Sequence, residues 1–122
     1  MIFAGKNADA VVCLLKPSEI IKVVWHESEN TVGWEIGKAR ELLVAGQVLA
    51  VFRTETGYLA IDGMCAHQGG PIAQGQLDGN CITCPWHGWQ YDIRDGKNLL
   101  TGKKMLSCFA TEVRDEVLWI DV

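Results

Sequence analysis

The chain has 122 residues, 48% of them hydrophobic and 21% charged, with a formal net charge of −4. That length buries a core without staples, the balance excludes wholesale disorder, and a mildly acidic chain lacks the basic stripe of a nucleic-acid binder. Every apolar run falls short of the roughly 20 residues that cross a bilayer, so no membrane association is expected.

The N-terminal stretch carries one short apolar patch, Ala10 to Leu15, and no basic leader or twin arginine, which makes a cytoplasmic protein the expectation. Pro17-Ser18-Glu19 suits a short helical turn before Ile20 and Ile21. Strands are predicted at Ala39–Val44 and Gln47–Arg53, joined by Ala45-Gly46, where glycine supplies positive φ. Thr54 to Gly57 reads as a second turn and Tyr58–Asp62 as a third strand. Residues 63–102 differ. Glycines at 63, 69, 70, 75, 79, 88, 96 and 102 and prolines at 71 and 85 forbid long regular elements. This stretch reads as a small loop-rich lobe inserted before the last hairpin, with short strands at Cys81–Thr83 and Trp89–Ile93. The hairpin is predicted from Leu106–Val113 and Val117–Val122, across Arg114 to Glu116. Short strands separated by turn signals predict an all-β chain, an antiparallel β-sandwich or barrel, as a single domain over residues 1–122.

Three of the five cysteines and two of the three histidines stand between Cys65 and Trp89. An odd cysteine count without a secretion signal argues against a disulfide framework, so clustered Cys and His point first to metal. The spacing is Cys65-x-His67, sixteen residues, then Cys84-x-x-His87. Each pair is followed by glycine, Gly69-Gly70 and Gly88, where backbone approaches closely and N–H groups face an anionic site. Two Cys and two His match a 2Fe–2S centre with mixed ligands. They also suit tetrahedral zinc, although Cys-x-His is tight for a zinc knuckle. Cys81-x-x-Cys84 alone resembles a redox pair, but no helix start follows it. Cys13, Cys81 and Cys108 are expected to be small buried hydrophobes. Trp25, Trp34 and Trp119 are assigned to the core or base sheets and Trp89 to packing, while Trp86 either shields the site or packs the lobe. His26 is expected at the surface or satisfied locally. Arg94, Lys97, Lys103 and Lys104 form a solvated face, with a docking patch as the alternative.

Cys65-Ala-His67-Gln-Gly-Gly-Pro71 and Cys84-Pro-Trp-His87-Gly-Trp89-Gln-Tyr91-Asp92 resemble the two cluster-binding boxes of the Rieske-type 2Fe–2S ferredoxin family. The approach sequence AVFRTETGYLAIDGMCAH fits the same family, and the resemblance runs from Val44 to Val122. It implies a base of antiparallel sheets with the cluster at the tip of a smaller lobe. It implies one 2Fe–2S cluster per chain, bound by Cys65, His67, Cys84 and His87, with Gln68, Gly70, Trp86, Gly88 and Tyr91 around it. Respiratory members carry an extra cysteine in each box, paired as a disulfide; Gly70 and Trp86 stand at those places, so that bond is excluded. Trp89 replaces their serine. Tyr91 falls where they have a tyrosine whose hydroxyl donates to a cluster sulfur. The proline frequent in the family's third loop has no counterpart between Leu99 and Ser107. The chain is therefore similar to the soluble type found with oxygenases and assimilatory nitrite reductases.

The ligand charges indicate the chemistry. Two thiolates cancel the +2 of an oxidised 2Fe–2S core, and one electron takes the site only to −1, whereas four thiolates would take it to −3. Histidine ligation thus raises the potential to roughly −150 to +300 mV. A facial-triad oxygenase site needs two further His and a carboxylate, and only His26 remains. The expectation is a one-electron carrier, itself not a catalyst. The resemblance implies a flavin-dependent NAD(P)H reductase as donor and an oxygenase or other terminal reductase component as acceptor. A small subunit of a nitrite reductase-like complex and a non-redox metal-binding structural module stay open as alternatives.

Overall fold

The structure, a computed structural model, describes residues 24–86 and 88–122. Cys13, the expected turn at Pro17-Ser18-Glu19 and the expected ligand His87 lie outside the described residues. Among the described residues ten strands follow one another: β1 Trp25–Asn30, β2 Ala39–Val44, β3 Gln47–Arg53, β4 Tyr58–Asp62, β5 Gln76–Asp78, β6 Cys81–Thr83, β7 Gln90–Asp92, β8 Cys108–Phe109, β9 Thr111–Arg114 and β10 Val117–Asp121. They pair antiparallel into three sheets, ordered β1-β10-β9, β2-β3-β4-β8 and β5-β6-β7. The all-β architecture is as expected.

The run VLAVF in β3 explains the layering. Side chains alternate across a strand, so Leu49 and Val51 point one way and Ala50 and Phe52 the other. Leu49 and Val51 join Trp34, Leu42, Val44, Ala60, Leu118 and Ile120 in one core. Ala50 and Phe52 join Ile61, Ile72, Ile82, Tyr91, Ile93 and Leu106 in a second, with Cys65 and Cys84 at its border with the loops. The central sheet is therefore covered on both faces, which is why β3 is continuously apolar. A fully buried phenylalanine such as Phe52 contributes roughly 1.5–3 kcal/mol of transfer free energy.

β2 and β3 end on the pair Val44↔Gln47, leaving Ala45 and Gly46 as a two-residue turn with φ of 51° and 82°. Two positive φ values match the twist of the strands, as a type I′ turn does. β4 pairs directly with β8 through Ala60↔Phe109 and Ile61↔Cys108. Residues 63–107 are thus an insertion between two neighbouring strands. Its neck is closed by Asp62 N–H to Ser107 O at 3.0 Å and Ser107 N–H to Asp62 Oδ2 at 2.7 Å. Inside the insertion, Leu77, Ile82 and Tyr91 stand in register across β5, β6 and β7.

Several sequence expectations are corrected. β1 carries no legible period, and β5 alternates over only three residues. β1 is an edge strand with a register irregularity between Glu27 and Asn30, so only part of it faces the core. The predicted strand Leu106–Val113 breaks at Ala110, where the chain leaves the central sheet as β8 and enters another as β9. Cys108 is exposed and Cys81 only partly buried, because β8 is a two-residue sheet edge and β6 is the middle strand of a thin sheet. The tryptophan assignments stand as expected: Trp34 is core, and Trp25 and Trp119 are on the base-sheet strands β1 and β10, half-buried and flanking the Arg114 guanidinium at 5.6 and 4.7 Å.

Candidate metal centre

Two loops at one end of the inserted lobe carry the expected ligands, and they are built alike. Cys65 N–H donates to Gly70 O, and Cys84 N–H donates to Trp89 O, both at 2.8 Å. Each loop is closed by the cysteine's own N–H onto the carbonyl five residues on. The fourth residue after each cysteine is a glycine, Gly69 or Gly88, with φ of 76° and 75°. Among the described residues nothing stands within 4 Å of where a Cβ would sit on either, and their positive φ is what calls for glycine. Gly70 is the opposite case. A Cβ there would come within 2.8 Å of Cys84 Sγ and 3.0 Å of the Trp86 ring. Its missing side chain lets the first loop lie against the second.

This contact places the two thiols together. Cys65 and Cys84 are both buried, and they interact with each other. Burial pushes the Cys84 thiol up from its ordinary pKa, while the Trp86 N–H, 3.4 Å from Sγ, pulls it back. The Tyr91 hydroxyl oxygen lies 3.1 Å from Cys65 Sγ, and Tyr91 is fully buried. Burial, reinforced by the Cys65 contact, holds the Tyr91 hydroxyl far above its ordinary pKa, so it remains a proton donor.

His67 is exposed on the first loop. Its imidazole stacks on the Trp89 indole of the second loop, with centroids 4.4 Å apart and planes 4° from parallel. The packing expected of Trp89 therefore includes a contact with a candidate ligand, which its spacing alone did not reveal. Gln68, Pro85 and Trp86 are exposed around this end, and so is Gly88. Trp86 shows a large part of its ring to solvent rather than filling the lobe. His26 is remote in sheet terms, paired with Ile120 in the β1-β10-β9 sheet. Arg94 is bound to Asp92 and Lys97 lies 4.0 Å from Asp95.

Among the described residues, no three His, Cys, Asp or Glu side chains converge on one point as a single metal ion would require. The two thiols are buried and the His67 imidazole is exposed. A 2Fe–2S centre with its cysteines on one iron and its histidines on the other calls for that division. The close backing of Gly70 onto Cys84 Sγ and the donors to both sulfurs fit the same group.

The sequence profile of the Rieske 2Fe-2S domain matches residues 23–109. Cholesterol 7-desaturase of Xenopus laevis is 41% identical over 75 residues, covering 60% of this chain and 16% of that protein. The chain thus spans a minor part of the length of such curated relatives. The ferredoxin of carbazole 1,9a-dioxygenase from Nocardioides aromaticivorans IC177 superposes with a TM-score of 0.72 at 19% identity, covering 83% of this chain and 98% of that one. A chain from a complex of reduced oxygenase and oxidized ferredoxin in carbazole 1,9a-dioxygenase superposes with a TM-score of 0.72 at 25% identity, covering 80% and 93%.

Proposed function

From the premise that this chain belongs to the Rieske 2Fe–2S family, with one such cluster per chain, we propose that it carries single electrons to an oxygenase component. In this reading Cys65 and Cys84 bind one iron, His67 and His87 bind the other, and residues 63–102 form the lobe that holds them. Bound there, the 2Fe–2S group supplies one-electron redox chemistry at a potential above that of an all-cysteine cluster.

The protein's own groups set the terms. Burial keeps water from the sulfurs, and the Tyr91 hydroxyl and Trp86 N–H each aim a donor at one of them. A donor to sulfur stabilises the more negative, reduced state more than the oxidised one. His67, at the exposed end, gives the shortest path to a partner. The rim formed by Gln68 to Pro71 with Pro85 and Trp86 is the surface on which that partner docks. A flavin-dependent NAD(P)H reductase is the donor that fits a carrier of this potential. The oxygenase acceptor is supported by the ferredoxin–oxygenase complex among the similar structures.

The observation that carries the reading is the pair of matched loops bringing two buried thiols under the Tyr91 hydroxyl. The purified protein is expected to be red-brown, with two iron and two sulfide per chain, and to show on reduction the low average g-value of mixed His/Cys ligation. Stoichiometric zinc without sulfide would overturn it.

A second reading rests on the 41% identity to cholesterol 7-desaturase and the 39% identity to a probable 3-ketosteroid-9-alpha-monooxygenase oxygenase component of Rhodococcus rhodochrous: the domain serves as the electron-accepting part of a steroid-modifying oxygenase. The two separate by single-turnover delivery. A carrier gives up its electron to an added oxygenase component in a second-order reaction, whereas an oxygenase's own domain takes electrons from a reductase and passes none on to an added component.

A further inference from the structure

We propose that the cleft beside Trp89 is a docking site for a segment of the redox partner that presents an apolar side chain next to a carboxylate; this rests on the carrier reading above. The cleft, of about 480 Å³, is walled by Gly88 and Trp89 of the second loop and by Asn98, Leu100, Lys103 and Met105. Its outer wall is a turn that is built before any partner arrives. Asn98 Oδ1 accepts the N–H groups of Leu100 and Thr101 at 2.8 and 3.2 Å, and Asn98 O accepts Gly102 N–H at 2.7 Å. Leu99 N–H donates to Gln90 O at 3.0 Å, which ties the turn to the residue after Trp89. The turn thus holds Leu100 in solvent, 93% exposed. An apolar group fixed in place beforehand loses little conformational freedom when a partner covers it.

The occupant follows from exposure, charge and position. Leu99 is exposed beside Leu100, so a small molecule seated in the cleft leaves apolar surface in water, whereas a polypeptide covers cleft and turn together. Arg94 is paired with Asp92, Lys97 lies 4.0 Å from Asp95, and the Lys104 ammonium lies 3.8 Å from Cys108 Sγ. Among the described residues Lys103 has no ion pair, in a chain whose net charge is −4. Asn98 is 5% exposed; its side-chain oxygen serves the turn, and its side-chain nitrogen has no hydrogen bond among the described residues. An ammonium and an unused amide donor at an apolar cleft are complementary to a carboxylate beside an apolar side chain. The Trp89 indole stacks on the His67 imidazole with centroids 4.4 Å apart. A segment seated against that indole therefore brings its protein to a candidate iron ligand, where the partner that exchanges electrons belongs.

The test uses the blocked tetrapeptide Asp-Phe-Leu-Asp as probe, observed by saturation-transfer NMR with the holoprotein at low ionic strength. The peptide is expected to bind the wild type, and the blocked peptide Lys-Phe-Leu-Lys is not. Lys103→Ala is expected to weaken binding roughly 2- to 5-fold, the range of an exposed charge pair. Leu100→Ser, at a position too exposed to affect folding, is expected to weaken it as well. Lys38→Ala, in the loop before β2, should leave it unchanged. Reduction makes the cluster paramagnetic, so the bound peptide's ring protons should then broaden. Equal binding of the lysine peptide overturns the proposal, as does a Lys38→Ala variant as impaired as Lys103→Ala. Ring protons that stay sharp on reduction place the peptide elsewhere and overturn it too. If 3-phenylpropionate binds as tightly as the peptide and Leu100→Ser weakens neither, the cleft is a small-molecule site and the docking proposal falls. Wild type without iron and sulfide overturns the carrier reading together with this one, whereas a normal cluster without peptide binding overturns this one alone.

Discussion

At the scale of single residues, Tyr91 carries the clearest consequence. Its hydroxyl is 3.1 Å from Cys65 Sγ and stays protonated because burial opposes its charge. A bond to a charged acceptor is worth about 1.5–3 kcal/mol, of which only the difference between redox states moves the potential. With roughly 59 mV per 1.4 kcal/mol for one electron, Tyr91→Phe is expected to lower the midpoint by about 20–60 mV, with the cluster retained. Film voltammetry of both proteins at one pH measures it, and an unchanged or higher midpoint refutes the role. Asp92 offers a pH dependence. Its hydrogen bonds from the Arg94 side chain hold the carboxyl below its usual pKa against a partial opposition from burial. A depressed carboxyl pKa adds stability above the unfolded value of about 3.9, and that stability is lost as pH falls through the folded value. Arg94→Gln should therefore move the acid-unfolding midpoint upward. The shift should be small, since Arg94 is exposed and the pair is screened.

At the scale of elements, two of the hairpin turns solve one problem with different residues. Ala45-Gly46 and Asp115-Glu116 both link strands through two positive-φ residues. Only the first uses glycine, and the second holds Asp115 at 52° and Glu116 at 66°. A side chain in this region costs roughly 1–2 kcal/mol, less for aspartate, and Asp-Gly is a favoured pair for a two-residue turn. Glu116→Gly is expected to stabilise the protein by about 0.5–1 kcal/mol, read as a raised midpoint in urea. The backbone carbonyl of Glu116 that accepts the Thr31 N–H and hydroxyl is unaffected by the change. A lowered midpoint would show that the Glu116 side chain has a stabilising contact.

At the scale of the whole molecule, the inserted lobe and the base have unequal means of support. The base cores hold long strands, and β2, β3 and β4 pair over most of their length. The lobe's strands are three residues each, and its two cysteine-bearing loops rest on a few backbone bonds, Gly70's close approach and the Trp89 stack. Metal binding and local folding are coupled, so removing the cluster should loosen the ligand loops far more than the base. Amide exchange is expected to rise strongly at residues 65–70 and 84–89 in the metal-free protein, with Leu49 to Phe52 staying protected. Uniform loss of protection would show that the cluster supports the entire fold. No helix of the described residues is long and apolar enough to cross a membrane.

The sequence by itself determined what local chemistry and period can encode. Ala39–Val44, Gln47–Arg53, Tyr58–Asp62 and Cys81–Thr83 are legible as strands because apolar residues with turn signals at both ends leave few alternatives. The family and its cofactor are legible because the boxes Cys65 to Pro71 and Cys84 to Asp92 resemble those of the Rieske family, whereas the Cys and His spacing alone left zinc open. Tertiary structure alone decided three things. It set the partners of strands too short or irregular to read along the chain: β1 pairs with β10, and the three-residue β5 pairs with β6. It moved the chain between sheets at Ala110, since a change of partner leaves no mark on composition, and it put Cys108 outside. It also chose neighbours across the two loops, Gly70 against Cys84 Sγ, Tyr91 under Cys65 and Trp89 on His67. Such contacts join residues far apart in the chain, and spacing records only distances along it, so only the folded lobe could bring them together.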